Sequence, residues 1–245
     1  MVPPGPPPVA GRSAPAVTRV GVVIPAHDEE ALLPACLLAL GAAAARAAVP
    51  VCVVVVLDAC SDGTLDAVRR AGRGPFDRLE HIACQARCVG AARDAGSRHL
   101  IGGYGPAGLW LATTDADSTV PPDWIVRQLA HARLGARAVI GTVRVTDWSQ
   151  HPPQTGPRYR GLYRARAGHR HVHGANMSMA AAAYLAAGGF PAVAADEDVA
   201  MIERLAALRE PVVWAADLPV ITSARPVGRA PAGFAGYLAG LASGS

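Results

Sequence analysis

The sequence lacks several features that would place it in other protein classes. No stretch reaches the roughly 18 uninterrupted apolar residues of a membrane span, and nothing near Met1 resembles a signal peptide. No block of basic and aromatic residues occurs, and the net charge is only +4, so nucleic acid is not an expected partner. The five cysteines contain no CxxC pair, which argues against a zinc site or disulfide framework. We therefore expect a cytoplasmic protein without a membrane span, for which peripheral membrane contact stays open.

The chain does have the length and apolar content of one large domain. It contains 245 residues, of which 51% are hydrophobic, enough to bury a sizeable core. Residues 1–18 are rich in proline and glycine and are predicted to form a disordered leader. Residues 19–245 are predicted to form a single domain, with a nucleotide-binding half at 19–134 and an acceptor-binding half at 135–245.

Apolar runs alternate with helical patterns through the first half of the chain. Strands are predicted at 20–24, 51–57, 81–84 and from Leu109, with helices at 31–48, 65–71, 89–100 and 122–134. This alternation predicts an α/β fold, with a doubly wound, mostly parallel sheet flanked by helices. The second half is less regular. It has predicted strands at 138–145 and 212–214, helices at 180–187 and 197–208, and a polar segment at 146–169 of the kind that is usually functional or mobile.

Two carboxylates follow the apolar run that begins at Leu109. Asp115 and Asp117 are one residue apart, and side chains at i and i+2 of a strand point the same way. The carboxyl ends of strands are where open α/β sheets bind ligands. Oxygen ligands with no Cys or His beside them suit Mg²⁺ or Mn²⁺, bound together with substrate phosphates. A simple polar turn after the strand is the alternative.

Acidic segments also follow the first two predicted strands, at 25–30 and 58–64. Each alone has an ordinary explanation, because carboxylates near a helix start cap it and complement its dipole. Their common position at the carboxyl ends of predicted parallel strands indicates one ligand site.

Taken in order, these segments resemble the family-2 glycosyltransferases of the GT-A fold. The resemblance includes Val-Ile-Pro-x-x-Asp-Glu at 23–29, Asp-x-x-Ser-Asp-Gly-Thr at 58–64, Ala-Arg-Asp-x-Gly at 92–96 and Asp-x-Asp at 115–117. It continues with Pro-Asp-Trp-Ile at 122–125, for the family's Pro-x-x-Trp/Leu, and with Gly-x-Asn-Met at 174–177, Gly-Gly-Phe at 188–190, and Glu-Asp at 197–198 with Arg204. The match extends from about Val20 to Arg204 and implies a nucleoside-diphosphate sugar as donor.

The resemblance implies a role for each matching residue. The donor nucleotide would contact Pro25, Ala26, His27, Glu29, Asp58, Arg93, Asp115 and Ala116. Asp117 and Asp115 would hold Mg²⁺ or Mn²⁺, with Asp117 the more direct ligand. In an inverting transfer, Asp198 would be the base that takes the acceptor hydroxyl's proton, with Glu197 as second choice. Gly174, Asn176, His173 and Arg225 are assigned to the acceptor side.

Structural explanations stay open for several of these residues. Glu197 and Asp198 open a predicted helix, where negative charge is favourable without catalysis. Arg93 fits a solvated helix surface as well as a phosphate contact. His169, His171 and His173 alternate and could share a strand face as metal ligands, line the acceptor or diphosphate pocket, or be exposed. Arg225 or Arg229 could instead reach the diphosphate.

The chain also differs from part of the family. Processive synthases carry a Gln-x-x-Arg-Trp segment and membrane helices, and neither is found in this sequence. We therefore expect one transfer to a discrete acceptor, either a small molecule or a lipid-linked molecule. The alternatives are a nucleotidyltransferase of related fold, which would show a glycine-rich basic loop after the first strand, and a non-catalytic nucleotide-sugar binding module. A dinucleotide-dependent dehydrogenase would need GxGxxG there, and it is missing.

Overall fold

The apolar runs of the sequence form one eight-stranded sheet in the computed structural model. The structure describes residues 16–193, 195–228 and 233–243, so the first 15 residues of the predicted leader, as well as Arg229, lie outside the described part. The strands are β1 (Arg19–Ala26), β2 (Val51–Asp58), β3 (Arg78–Cys84), β4 (Leu109–Thr113), β5 (Ser118–Thr119), β6 (Ala138–Arg144), β7 (Met177–Ala180) and β8 (Val212–Thr222).

Eight α-helices in the described ranges connect or flank these strands. They are α1 (Leu33–Ala44), α2 (Thr64–Ala71), α3 (Val89–Tyr104), α4 (Trp124–Arg133), α5 (Thr155–Leu162), α6 (Ala181–Ala186), α7 (Glu197–Ala207) and α8 (Phe234–Ser243). Within 16–193, 195–228 and 233–243, none of the helices is long and apolar enough to cross a bilayer.

The strand order of the sheet is β3-β2-β1-β4-β7-β6-β8-β5. Strands β1 to β4 are mutually parallel where they pair, and β6 pairs in parallel with β8. The chain moves outward from β1 to β3 and then returns to place β4 on the other side of β1. This reversal confirms the predicted doubly wound, mostly parallel sheet, and it creates the crevice where such sheets bind ligands.

The sheet is covered on both faces, as its continuous apolar strands require. All eight residues of β2 are buried, and two separate apolar clusters occupy the two faces. Helix α3 packs closely on β1 and β2 through Gly96, where an added Cβ would lie 2.5 Å from Val23 Cγ1. This close approach fixes α3, and with it Arg93, against the carboxyl end of the sheet.

The second half differs from the prediction in several elements. Strand β7, for which no prediction was made, pairs antiparallel between β4 and β6, and the helix predicted at 180–187 follows it as α6. Strand β8 continues to Thr222, well beyond the predicted residue 214, because its far end pairs with both β6 and β5. Helix α5 lies inside the polar segment 146–169, for which no helix bounds were predicted, and α8 was not predicted. These elements depend on pairing with distant segments, which local patterns do not record.

Candidate active site

The loops after β1 and β2 are tied to each other by their acidic side chains. Asp28 Oδ1 accepts hydrogen bonds from the backbone N–H groups of Ser61 (2.6 Å) and Asp62 (3.2 Å). In return, Asp62 Oδ2 accepts from the N–H of Glu30, and Thr64 Oγ1 accepts from the N–H of Glu29 at 2.8 Å. The hydrogen bond from the Ser61 N–H leads the effects that hold the pKa of Asp28 below its usual value. These contacts give the two loops one fixed geometry.

Asp28, Cys60 and Asp62 also have ligand atoms that all lie within 4.8 Å of one another. Such a group could hold a metal ion. However, the carboxylate oxygens of Asp28 and Asp62 already accept backbone hydrogen bonds. Their geometry is therefore explained by the braced turn itself.

Asp58 closes the other side of this crevice. Its side chain is buried, and its two oxygens accept hydrogen bonds of 2.9 Å from the backbone N–H groups of Arg87 and Cys88. His27 Nδ1 lies 2.6 Å from the Asp58 carbonyl oxygen. Asp58 thus links the loop after β2 to the start of α3. The side chain of Ala26 is buried, while Pro25 and His27 are half-buried at the crevice.

Asp115 and Asp117 follow β4, next to the loop after β1, as the sequence predicts. Both are half-buried, while Ala116 between them packs into the core and leaves only its backbone for a ligand. Burial, together with the charge of Asp115, raises the pKa of Asp117 to about 6. The pair therefore concentrates negative charge that a cation would stabilise.

Arg225 is the cation that faces this pair. Its Nη2 lies 2.6 Å from Asp117 Oδ2 and 2.7 Å from Glu29 Oε1. The segment carrying Arg225 is held there by a hydrogen bond from the Ser223 N–H to the Asp117 carbonyl oxygen. The structure thus groups Arg225 with the predicted donor-side residues, and not with Gly174 and His173, because β8 ends beside β5.

Arg93 joins the two acidic groups of the site. Its guanidinium donates from Nη2 to Asp115 Oδ1 at 2.5 Å and from Nη1 to Glu197 Oε1. The residue is 3% exposed, so the solvated helix surface considered for it is incorrect. Burial opposes its charge, but Asp115 and Glu197 more than compensate and raise the pKa of Arg93. Gly174 makes room for the guanidinium, since a Cβ there would lie 2.4 Å from Arg93 Cζ.

Asp198 and Glu197 begin α7 and have different surroundings. Glu197 is buried, and this burial raises its pKa. Its carboxylate forms an ion pair with Arg93. Asp198 is half-buried, and its Oδ2 accepts a 2.7 Å hydrogen bond from the Gly174 N–H. Of the two carboxylates, Asp198 is therefore the one with access to a ligand.

His173 lies next to this group. Its Nε2 is 3.0 Å from the hydroxyl of Tyr163, and burial lowers its pKa to about 4. The rings of His169, His171 and His173 form a row with neighbouring centroids 5.7 and 6.4 Å apart. In the part of the chain that the structure describes, these three do not come together as a metal-binding group, which contradicts that alternative.

Asn176 is buried, and its side chain connects elements of the fold. Its amide donates to the carbonyl oxygens of Thr142 and Leu218 and accepts from Trp124 Nε1 at 2.9 Å. The residue is 2% exposed. These contacts argue against direct binding of an acceptor by Asn176 and explain the residue as a clamp between β6, β8 and α4.

Several groups of this site have no recognisable signal in the sequence. The backbone N–H groups of Arg87 and Cys88, which hold Asp58, give no side-chain signal. Thr113 Oγ1, which donates to the Gly174 carbonyl oxygen at 2.6 Å, lies in an apolar strand with no recognisable motif. Two positive backbone φ angles on non-glycine residues, at Ala59 (52°) and Arg87 (46°), mark the same loops, and neither residue type predicts that conformation.

The profile of glycosyl transferase family 2 matches residues 21–185 of this chain. No curated protein sequence matches the chain significantly.

Among solved structures, S. aureus TarS 1-349 in complex with UDP-GlcNAc superposes with a TM-score of 0.66 at 14% identity, covering 88% of this chain and 61% of that one. The mannosyltransferase PcManGT from Pyrobaculum calidifontis, in complex with GDP-Man and Mn²⁺, gives 0.65 at 23% identity and the same coverage. GalNAc-T7 with UDP, GalNAc and Mn²⁺ gives 0.56 at 13% identity, covering 84% of this chain and 44% of that one. The chain thus spans about three fifths of the length of the first two structures, and the shared architecture confirms the predicted GT-A fold.

Proposed function

Because the chain belongs to glycosyl transferase family 2, we propose that it transfers a sugar from a nucleoside-diphosphate donor to a hydroxyl of a discrete acceptor. One observation supports this most strongly. Arg93 joins Asp115, in the acidic pair after β4, to Glu197, beside Asp198 at the start of α7. A group for the diphosphate and a group for proton transfer therefore share one crevice, although they are far apart in sequence.

The donor end of the proposed site is formed by the loops after β1, β2 and β4. The braced loops after β1 and β2 would hold the base and ribose, with Asp58, His27 and the backbone at Pro25 and Ala26 as the contacting groups. Solved structures of the same fold carry UDP-GlcNAc and GDP-Man, which supports a nucleotide-sugar donor without choosing its base.

Asp115 and Asp117 fit a hard divalent ion, Mg²⁺ or Mn²⁺. Their ligand atoms are all carboxylate oxygens, and burial together with the charge of Asp115 raises the pKa of Asp117, so a bound cation would favour its charged form. When bound, such an ion stabilises the charge that develops on the leaving diphosphate. Arg225 lies beside the pair and would contribute a second positive charge toward the diphosphate. Two Mn²⁺-containing structures of this fold support the choice of ion.

Asp198 is the proposed base. As the acceptor oxygen attacks the anomeric carbon, a new C–O bond forms and the carboxylate of Asp198 takes the hydroxyl proton. The bond from that carbon to the diphosphate breaks, and the diphosphate leaves with the electron pair. Attack from the face opposite the leaving group inverts the anomeric configuration. The hydrogen bond from the Gly174 N–H fixes Asp198 for this role, whereas Glu197 is held by Arg93 and serves to position it.

The acceptor would enter past Gly174 and His173. The neutral imidazole of His173, linked to the Tyr163 hydroxyl, can hydrogen-bond a sugar or alcohol without adding charge.

All five cysteines are free thiols, which supports the cytoplasmic, reducing location included in this proposal.

The decisive experiment measures release of nucleoside diphosphate from a panel of UDP-, GDP-, dTDP- and CDP-sugars in the presence of Mn²⁺, with water as the acceptor hydroxyl. We expect one donor to be consumed and the sugar to be delivered with inverted configuration, which the proton NMR signal of the first anomer formed reports. Asp198→Asn should lower turnover by a factor of 10² or more while leaving donor binding unchanged.

Asp196→Asn is the matched control for this experiment. Asp196 is exposed, lies two residues away in the same acidic segment, and has a positive φ of 61° that asparagine tolerates. It should retain full turnover. Turnover of Asp198→Asn at the wild-type rate would reject the assignment of the base, and retention of configuration would reject the inverting mechanism.

A further inference from the structure

The positive charge of the chain is concentrated in one segment. The sequence contains no lysine, so its 23 basic residues are all arginines. Residues 144–170 contain Asp147 as their one acidic residue and six arginines: Arg144, Arg158, Arg160, Arg164, Arg166 and Arg170. The segment therefore has a net charge of +5, whereas the rest of the chain, with 17 arginines and 18 acidic residues, has a net charge of −1.

These six arginines are exposed, and within the described residues none of them forms an ion pair. Arginines elsewhere behave differently: Arg19, Arg98 and Arg127, for example, each pair with a carboxylate. Two members of the group have a structural contact, since Arg158 donates to the Leu241 carbonyl oxygen (2.8 Å) and Arg170 lies over the ring of Trp214. Uncompensated guanidinium groups on one segment indicate an anionic partner.

Helix α5, which carries two of these arginines, packs against α8 through an aromatic layer. Tyr159 stacks on Tyr163 with centroids 5.0 Å apart and contacts Phe234 of α8. Helix α8 has no charged residue. We call the exposed side of residues 158–170 together with that of α8 the α5–α8 face.

The α5–α8 face also exposes large apolar side chains. Leu162 is 64% exposed and Tyr237 is 46% exposed. A soluble anion would be bound by the arginines alone and gains nothing from an exposed leucine. Arginines beside leucine and an interfacial tyrosine are typical of surfaces that lie on anionic bilayers, where guanidinium groups bind lipid phosphates and apolar groups enter the acyl boundary.

We propose that the α5–α8 face docks on the surface of an anionic membrane. Tyr163 connects this face to the site, because its hydroxyl is bonded to His173, and His173 precedes Gly174, which holds Asp198. A membrane-borne acceptor held on the α5–α8 face would thus reach the site beside Asp198. This last step depends on the function proposed above, whereas the docking itself does not.

Co-sedimentation of the full chain with lipid vesicles tests the proposal. One set of vesicles contains phosphatidylcholine and one third phosphatidylglycerol, and the other contains phosphatidylcholine alone. We expect binding to the anionic vesicles that weakens steeply with salt. The triple variant Arg160→Ser, Arg164→Ser, Arg166→Ser should lower the partition coefficient about fivefold per arginine, or on the order of a hundredfold in total.

The control triple variant is Arg46→Ser, Arg70→Ser, Arg73→Ser. It removes the same charge from exposed arginines in the region of α1 and α2 that form no ion pair within the described residues. It should bind vesicles like the wild type. Equal losses in the two triple variants, or no binding of the wild type to anionic vesicles, would overturn the proposal.

A second pair of variants separates a membrane from a soluble anion. Leu162→Ser should weaken vesicle binding on the order of tenfold, whereas Leu134→Ser, at a leucine of α4's C-terminal end that is even more exposed (78%), should have no effect. If Leu162→Ser had no effect and inorganic phosphate displaced the protein at equal ionic strength, the partner would be a soluble anion and the proposal would be wrong. Calorimetric titration of nucleoside diphosphate into the arginine variant tests the donor site separately.

Discussion

Replacing Arg93 tests the ionic link at the centre of the site. Arg93 is 3% exposed and binds Asp115 and Glu197. Arg93→Met keeps much of the side-chain volume but leaves Glu197, itself 5% exposed, without its cation. Removing one partner of a buried ion pair costs about 3–5 kcal/mol. For a domain of this size, that corresponds to a fall in Tm of about 10 °C.

The measurement is thermal and urea unfolding of three variants followed by circular dichroism. Arg98→Met is the control, because Arg98 lies on the same helix, α3, and also pairs with a carboxylate, Asp94. Arg98 is 56% exposed, and such surface pairs contribute about 0–1 kcal/mol. Arg93→Met combined with Glu197→Gln should be more stable than Arg93→Met alone, since the second change removes the unpaired charge. A loss below about 1 kcal/mol for Arg93→Met, equal to that of Arg98→Met, would refute the reasoning.

Two further predictions concern packing and pH. Gly96→Ala should destabilise the protein by about 1–3 kcal/mol, because the new Cβ would lie 2.5 Å from Val23 Cγ1. Gly102→Ala, on the same helix with nothing within 4 Å, should stabilise it by about 0.5–1 kcal/mol; urea midpoints that shift equally for both would contradict the packing account. Burial lowers the pKa of His173 from 6.5 to about 4, so the unfolded state binds the proton first and stability falls as pH decreases from 6.5 to 4, by up to about 3 kcal/mol. His173→Gln should reduce this slope in unfolding measured across that range, and an unchanged slope would show that His173 is not responsible.

The sequence predicts strands β1 to β4 well because the signals for these strands are local. The β-branched runs of β1 and β2 and the apolar run of β4 need burial on both faces, and a parallel sheet between helices supplies it. The acidic pair after β4 and the segments after β1 and β2 then meet at one edge by topology alone. The position of a residue in the fold therefore follows from its motif wherever that position is set by the end of a single strand.

The remaining features depend on contacts between distant segments. Arg93 and Glu197 are 104 residues apart, so neither residue by itself predicts their pairing. Asn176 fits a family motif, yet its burial between β6, β8 and α4 gives it a structural role. Arg225 lies beside Asp117 only because β8 pairs with β5, a strand of two residues. Periodicity does not detect elements this short.

We propose that Asp115 and Asp117 form the cation-dependent end of a nucleotide-sugar site. Calorimetric titration of UDP, GDP, dTDP and CDP, with Mn²⁺ and with a chelator, tests it most directly. We expect one diphosphate to bind in the presence of Mn²⁺, and we expect the chelator or Asp117→Ala to abolish this binding without unfolding the protein. Binding of that diphosphate to Asp117→Ala with wild-type affinity, or binding of none of the four to the wild type, would contradict it.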